Sequence, residues 1–218
     1  MKTALIFGST GLIGNLLVNI ILQNNNYNQI KLFVRSVPEN NNSNVEIITT
    51  DFTNLEKHKN SIVGEDCFFC IGTTRKNTPD KNEYIRIEHD IPIEIAKIAK
   101  SSSVNNFIYV SSLGAKPNSS GLYLKNKGQV EEELIKLNFP KLSIIRPSIL
   151  LGNRKENRVG EKIAIFLMQT LSPLFLGKLK KYKPIKVENV ANAMVNIAQN
   201  NYLETTFESD QLEEIAKL

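Results

Sequence analysis

The sequence predicts an α/β fold built as a doubly wound parallel sheet with helices on both faces. Short apolar runs alternate with longer segments of helical period, the pattern of strands joined by crossover helices. A turn rich in glycine, residues 8–14, directly follows the first apolar run and precedes the first helical segment. The chain has 218 residues, of which 41% are hydrophobic, enough for one full core. We therefore predict a single domain over residues 1–218, in which residues 147–218 form a small helical region on the substrate side.

The apolar runs and the helical periods give the order of the elements. Strands are predicted at residues 3–7, 31–34, 45–49, 66–71, 106–110 and 142–145. Helices are predicted at residues 12–23, 55–59, 84–100, 121–137, 161–171, 190–200 and 210–218. Pro92 lies early in the helix at 84–100, where it either marks the true first turn or kinks the helix.

Composition excludes several classes of protein. The net charge is +5, but the basic residues form no single long stripe, so we do not expect nucleic-acid binding. No secretory leader and no apolar run near 20 residues is visible, and we expect a cytoplasmic protein without a membrane span. Cys67 and Cys70 form a CxxC inside an apolar run, with no second ligand pair, so we interpret them as core residues and predict no metal.

The glycine turn has the spacing Gly-x-x-Gly-x-x-Gly between a strand and a helix, which is typical of a dinucleotide-binding, Rossmann-like fold. Gly8 permits the sharp turn, Gly11 permits close approach to a pyrophosphate, and Gly14 permits the helix to pack on the sheet. The free N–H groups of the helix start would bind the phosphates, with hydroxyls from Ser9 or Thr10.

The residues after the second and third strands indicate which nucleotide is bound. Arg35 and Ser36 follow the second strand, where an acid would hold the 2′-hydroxyl of NAD. An arginine instead suits a 2′-phosphate, so we predict NADP, with NAD possible. Asp51 and Phe52 follow the third strand and are placed to contact adenine, although Asp51 could equally be a helix cap.

The reactive centre is predicted from a tyrosine and a lysine one helical turn apart. Tyr123 and Lys127 share a helix face at i and i+4, and an ammonium favours the ionised form of a neighbouring phenol. Such a phenol can exchange a proton with a carbonyl or alcohol while hydride moves to or from a nicotinamide. Ser112, at the end of the fifth strand, is placed to hold the substrate oxygen.

These motifs identify a family resemblance over most of the chain. The sequence resembles the extended or atypical short-chain dehydrogenase/reductases, and more closely the Tat-interacting-protein-type oxidoreductases. The segments that carry the resemblance are residues 69–75 (FCIGTTR), 110–115 (VSSLGA), 122–128 (LYLKNKG) and 146–151 (RPSILL) with Asn153 and Arg154. The resemblance implies NADP binding and a Tyr-Lys-Ser centre.

The resemblance also assigns residues to the site. It implies that Leu12 and Ile13 lie around the cofactor, that Ile149 and Leu150 lie near the nicotinamide, and that Arg158 lies at the substrate-side end. Gly72, Thr73, Ser111 and Pro147 complete the predicted cofactor contacts. Members of the superfamily often carry an asparagine before the fifth strand that organises a proton-relay water, and this chain has Glu88 there, which could hold such a water or hinder the relay.

Three functions fit the sequence. The first is an NADP-dependent oxidoreductase for a small carbonyl or alcohol, acting as a monomer or homodimer. The second is a nucleotide-sugar epimerase or dehydratase, which the short C-terminal region disfavours. The third is an NADP-sensing protein with little turnover, which an intact Tyr123 and Lys127 disfavour and Glu88 favours.

Overall fold

Seven parallel strands form the central sheet of the computed structural model, which describes residues 2–24, 26–37, 42–152 and 177–218. The strands are β1 Lys2–Phe7, β2 Tyr27–Val34, β3 Val45–Thr49, β4 Asp66–Phe69, β5 Asn106–Val110, β6 Lys141–Arg146 and β9 Thr206–Glu208. Their order in the sheet is β3-β2-β1-β4-β5-β6-β9. The first six have the order of a dinucleotide-binding sheet. The predicted Rossmann-like, doubly wound fold is therefore confirmed.

Helices cover both faces of this sheet. They are α1 Leu12–Gln23, α2 Lys81–Ile85, α3 Ile91–Ser101, α4 Leu122–Lys136, α5 Val187–Gln199 and α6 Ser209–Ile215. Shorter turns lie at Leu55–His58 and Gly177–Tyr182, and a second sheet pairs β7 Leu150–Leu151 with β8 Ile185–Lys186. In the described ranges, no helix combines the length and the apolar character needed to cross a bilayer.

The alternation of side chains along each strand divides the core in two. Ile6, Phe68 and Ile108 point to the face covered by α1, α5 and α6. Phe7, Phe69 and Tyr109 point to the face covered by α3 and α4. Both faces are apolar because each strand of a parallel sheet is buried on both sides.

The main difference from the predicted elements lies at residues 84–100. In place of the single predicted helix, the structure has three consecutive segments: α2, one π turn over Arg86–Asp90, and α3. Pro92 has no N–H to donate to the carbonyl of Glu88, and the chain forms a wider turn just before it, where Ile91 N–H donates to Arg86 O. Pro92 lies in the first turn of α3, as one of the two predicted alternatives requires.

The C-terminal region also differs from the prediction. The strand β9 was not predicted, because its three residues lack a strand-length apolar run. The predicted helix at 161–171 lies outside the described residues, as do Arg154 and Arg158. The single domain and the substrate-side role of residues 147–218 stay predictions.

Candidate active site

The glycine turn lies at the centre of the sheet, between β1 and α1. Gly8 has φ +89°, a conformation that favours glycine, and a Cβ there would lie 2.7 Å from the carbonyl carbon of Cys70, after β4. A Cβ on Gly14 would lie 2.1 Å from Gly8 O. Both positions therefore require glycine, one for the turn and one for the close approach of helix and strand.

The start of α1 has the chemistry that a phosphate needs. Gly11 precedes the helix, and no described side chain caps its first turn. The hydroxyl of Ser9 is buried and has no hydrogen-bond partner among the described residues, while Thr10 is exposed. Free N–H groups, a helix dipole and an unpaired hydroxyl fit a dinucleotide pyrophosphate. The residues present thus fit the cofactor implied by the sequence.

Arg35, Ser36 and Asp51 follow β2 and β3 at the same edge of the sheet, and all three are exposed. One oxygen of the Asp51 carboxylate accepts hydrogen bonds from Thr53 N–H (2.9 Å) and Thr53 Oγ1 (2.8 Å), which lower the pKa of Asp51. Phe52 is buried and has φ 61°, which is rare outside glycine. Asp51 therefore closes a local turn with Thr53 and does not cap the short helix at Leu55–His58, whose N-cap is Asn54, without a side-chain hydrogen bond. Its contact with adenine stays a prediction.

A pair that sequence reasoning missed, Glu83 and Arg86, lies beside this turn. Arg86 Nε donates to Glu83 Oε2 (2.7 Å), and Arg86 Nη1 donates to Phe52 O (3.0 Å). The hydrogen bonds from Arg86 lower the pKa of Glu83, with a smaller contribution from Arg35. The i,i+3 spacing of Glu83 and Arg86 was the available signal, but it does not reveal the contact with Phe52.

The segment after β4 approaches the π turn through Gly72 and Thr73. Glu88 Oε1 accepts a hydrogen bond from Thr73 N–H at 2.5 Å, and a Cβ on Gly72 would lie 3.3 Å from the same oxygen. Glu88 is 1% exposed. The buried Glu88 carboxylate is therefore held beside Gly72 and Thr73, two of the predicted cofactor contacts.

Lys127 lies opposite this carboxylate, on α4. Its Nζ forms an ion pair with Glu88 Oε2 at 3.1 Å, although the angles do not meet those of a hydrogen bond. The same Nζ donates a hydrogen bond to Val110 O at 3.1 Å. Burial alone would lower the pKa of Lys127, but Tyr109, Glu88 and Tyr123 together raise it above its ordinary value. Lys127 is therefore a stable buried ammonium.

Tyr123 presents its ring on the open side of the same helix. The ring centroid lies 6.0 Å from Lys127 Nζ, and the residue is 41% exposed. The structure thus brings the predicted phenol and ammonium together, with the phenol accessible to a ligand and the ammonium buried behind it.

The two serines after β5 differ in their surroundings. The Ser111 hydroxyl is buried and donates to Glu131 Oε1, whose carboxylate also binds Arg146. Ser112 is partly exposed, and its hydroxyl has a long contact of 3.4 Å with Leu113 O. Ser112 is therefore the serine with a hydroxyl available to a ligand, whereas the hydroxyl of Ser111 is already engaged.

The segment after β6 borders the site with apolar groups. Pro147 is buried, its carbonyl accepts from Leu113 N–H (2.9 Å), and Ile149 is 54% exposed. Leu150 pairs with β8, and a Cβ on the neighbouring Gly152 would lie 2.6 Å from Val187 Cγ2 of α5. The substrate-side residue Arg158 lies outside the described residues, so the structure does not test its predicted place.

The CxxC is part of the sheet rather than of a reactive centre. Both thiols are free, Cys67 is fully buried, and Cys70 is partly buried. Burial raises the pKa of Cys67 and raises that of Cys70 to about 12, although Lys127 opposes the latter. Neither is a thiolate near neutral pH, so neither is activated as a nucleophile.

Comparison with known proteins agrees with this geometry. Residues 8–201 match the model of a protein family described as NAD(P)H-binding. The chain is 32% identical over 200 residues to a protein of Debaryomyces hansenii named FMP52, mitochondrial, covering 90% of this chain and 87% of that protein. It is 35% identical over 167 residues to the rat protein HTATIP2, covering 75% and 69%.

Solved structures show the same fold at low sequence identity. A UDP-glucose 4-epimerase from Thermotoga maritima, solved with UDP-glucose, superposes with a TM-score of 0.69 at 14% identity, covering 99% of this chain and 81% of that one. At such identity the likeness supports the fold and not the reaction.

The comparisons correct the predicted cytoplasmic location. Relatives from Debaryomyces hansenii, Scheffersomyces stipitis and Candida albicans are all named mitochondrial proteins. The prediction relied on the lack of a secretory leader and of an apolar span, but a mitochondrial protein needs neither feature. The cytoplasmic prediction was therefore wrong.

Proposed function

This chain belongs to the NAD(P)H-binding family that includes HTATIP2 and FMP52, within the short-chain dehydrogenase/reductase superfamily, and we propose that it is an NADP-dependent oxidoreductase for a small carbonyl or alcohol. In this proposal the bound cofactor supplies or accepts a hydride at the substrate carbon. Tyr123 donates a proton to the carbonyl oxygen, or removes one from the alcohol. Ser112 holds that oxygen, and Lys127 orients the ribose.

One observation carries the proposal. An accessible phenol, Tyr123, lies with its ring centroid 6.0 Å from a buried ammonium, Lys127, at the same edge of the sheet as the glycine turn. Ligands of open α/β sheets bind at this edge, where the strand order reverses. A proton donor and a dinucleotide would therefore meet there, as hydride transfer requires.

The preference for NADP is supported by Arg35. The residue is exposed immediately after β2, and no acid in the described residues directly follows that strand. An arginine can bind a 2′-phosphate with charge-assisted hydrogen bonds, each contributing about 1.5–3 kcal/mol. The Arg35 guanidinium would thus distinguish NADPH from NADH.

Titration of NADPH and NADH against wild type and Arg35→Ala tests the cofactor. We expect wild type to favour NADPH, and Arg35→Ala to bind NADPH about 10- to 100-fold more weakly with little change for NADH. Lys97→Ala is the matched control, because Lys97 is exposed on α3 away from this edge. Failure of wild type to bind either nucleotide would contradict the proposal.

Turnover is tested with a panel of carbonyl substrates and Tyr123→Phe. We expect NADPH oxidation by wild type and a loss of about 10²- to 10⁴-fold in Tyr123→Phe with unchanged NADPH affinity. Tyr202→Phe removes a phenol that precedes β9, at the opposite edge of the sheet, and should keep full activity. Tight NADPH binding without turnover on any carbonyl would favour a sensor, and nucleotide that stays bound without net consumption would favour an epimerase.

A further inference from the structure

Glu88 is a buried carboxylate beside the predicted reactive centre. It lies on the π turn, is 1% exposed, and accepts Thr73 N–H at 2.5 Å through Oε1. Its second oxygen faces Lys127 Nζ at 3.1 Å. The backbone anchor on one oxygen leaves the other directed at the ammonium.

Lys127 Nζ is in direct contact with this carboxylate and also lies near the ring of Tyr123. It is 3.1 Å from Glu88 Oε2 and 6.0 Å from the Tyr123 ring centroid. A carboxylate in contact with an ammonium reduces the field that the ammonium exerts on other nearby groups, because the two charges have opposite sign.

We propose that Glu88 is a positioning residue that offsets the charge of Lys127, so that the pair exerts little net electrostatic effect on the Tyr123 phenol. The proposal deepens the proposed function and rests on it for its catalytic meaning. Without Glu88, the uncompensated ammonium would stabilise the phenolate of Tyr123. Glu88 therefore extends proton donation by Tyr123 to higher pH.

The other titratable groups around the pair are neutral over most of the pH range. Tyr84 faces it from α2, Cys70 from the end of β4, and Tyr109 from β5. Burial raises the pKa values of Tyr84 and Cys70 to about 12 and also raises that of Tyr109. Arg75 is farther out, stacked on the Tyr84 ring with 5.4 Å to the ring centroid.

The test measures phenolate formation by ultraviolet difference absorbance during alkaline titration, without substrate. Subtracting the curve of the matching Tyr123→Phe variant isolates Tyr123 in wild type and in Glu88→Gln. Glutamine keeps the shape and can still accept the Thr73 N–H. We expect Tyr123 to ionise about one pH unit lower in Glu88→Gln than in wild type. Ionisation at the same pH in both backgrounds would overturn the proposal.

A second variant covers the case in which Glu88→Gln does not fold, since a lone buried ammonium is costly. Glu88→Gln combined with Lys127→Met removes both charges at once, which buried sites often tolerate. If the pair is electrostatically balanced, Tyr123 in this double variant ionises within about half a pH unit of wild type. A rise of one unit or more would mean that Lys127 acts without compensation, and would contradict the proposal.

Activity gives an independent reading. In Glu88→Gln, the alkaline fall of the carbonyl reduction rate should move to lower pH together with the phenolate signal, while the NADPH dissociation constant stays within about threefold. Lack of turnover in wild type would sink the proposed function, yet the spectroscopic comparison would still decide the role of Glu88. A phenolate shift in Glu88→Gln with an unmoved rate profile would overturn the link to proton donation.

Discussion

Single residues decide whether the glycine turn can form. Gly8 occupies a left-handed conformation against the backbone of Cys70, and Gly14 lies against the carbonyl of Gly8. A side chain at either position has to displace main chain, which is costly because the surrounding strands are packed and hydrogen-bonded. Here the spacing in the sequence was sufficient to predict the local structure.

Gly14→Ala tests this point. The new Cβ would lie 2.1 Å from Gly8 O, so α1 must move, and we expect a loss of about 3 kcal/mol in unfolding free energy and at least tenfold weaker NADPH binding. Chemical denaturation and a nucleotide titration measure the two effects. Gly121→Ala is the matched control, since its Cβ would have nothing nearer than 4.0 Å, and its cost should stay below about 1 kcal/mol. Equal stability of both variants would refute the close approach.

Other site residues could not be predicted at this scale. Ser111 and Ser112 are adjacent in sequence, yet only the structure shows that Glu131 engages Ser111. The contact between Arg86 and Phe52 joins residues 34 positions apart. Composition and spacing carry no information on such pairs, because they depend on how separate elements pack.

At the scale of elements, an ion pair joins α4 to β6. Arg146 Nε donates to Glu131 Oε1 at 2.9 Å, and Arg146 Nη2 donates to Glu131 Oε2. The Glu131 side chain is 5% exposed and that of Arg146 is 26% exposed. This pair fixes α4, and with it Tyr123 and Lys127, against the end of the sheet.

Arg146→Met should leave the Glu131 carboxylate buried without its partner. We expect a loss of about 2–3 kcal/mol, which is less than the roughly 3–5 kcal/mol of a fully buried pair because Arg146 retains contact with water. The double variant with Glu131→Gln should recover part of the loss, as measured by denaturant titration. Lys217→Met, which breaks the exposed pair with Glu214, should have no measurable effect. An unchanged unfolding free energy in Arg146→Met would show that the pair does not hold α4.

The elements themselves were predictable to different degrees. The sequence pattern predicted the bounds of α1 and β3, at residues 12–23 and 45–49, because apolar residues recur regularly in both segments. The π turn at Arg86–Asp90 was not predictable, since its residues fit an ordinary helical period and only Pro92 hints at a disruption. That turn carries Glu88, so the least predictable element holds a central residue of the candidate site.

At the scale of the whole molecule, one buried network ties together four strands at the edge opposite the site. Tyr27 of β2 donates to Asp66 of β4 at 2.8 Å, Asn106 of β5 donates to the same carboxylate at 3.0 Å, and Lys2 of β1 lies 3.4 Å from it. Burial, and then the charge of Asp66, raises the pKa of Tyr27 above its ordinary value.

This raised pKa predicts how stability changes in alkali. Below about pH 10 Tyr27 is protonated in both states, and above it only the unfolded chain loses the proton, so stability falls as pH rises. Tyr27→Phe should cost about 1 kcal/mol at pH 7, from the lost hydrogen bond. Between about pH 10 and 11.5 its unfolding free energy should fall less steeply than that of wild type, by a difference that grows to about 1.4 kcal/mol per pH unit. The unfolding free energies come from denaturant titrations at each pH. If they fall in parallel with pH for wild type and Tyr27→Phe, the role of Tyr27 is contradicted.

The wholly parallel sheet also has a kinetic consequence. Neighbouring parallel strands cannot be joined by a tight turn, so each pairing requires a long crossover to close first. The β6–β9 pair joins Ile145 to Phe207, segments far apart in the chain. Chains with such distant contacts refold slowly, over milliseconds to seconds, and β9 as the edge strand is well placed to join last. During that interval the unpaired edge of β6 would be the surface most exposed to aggregation.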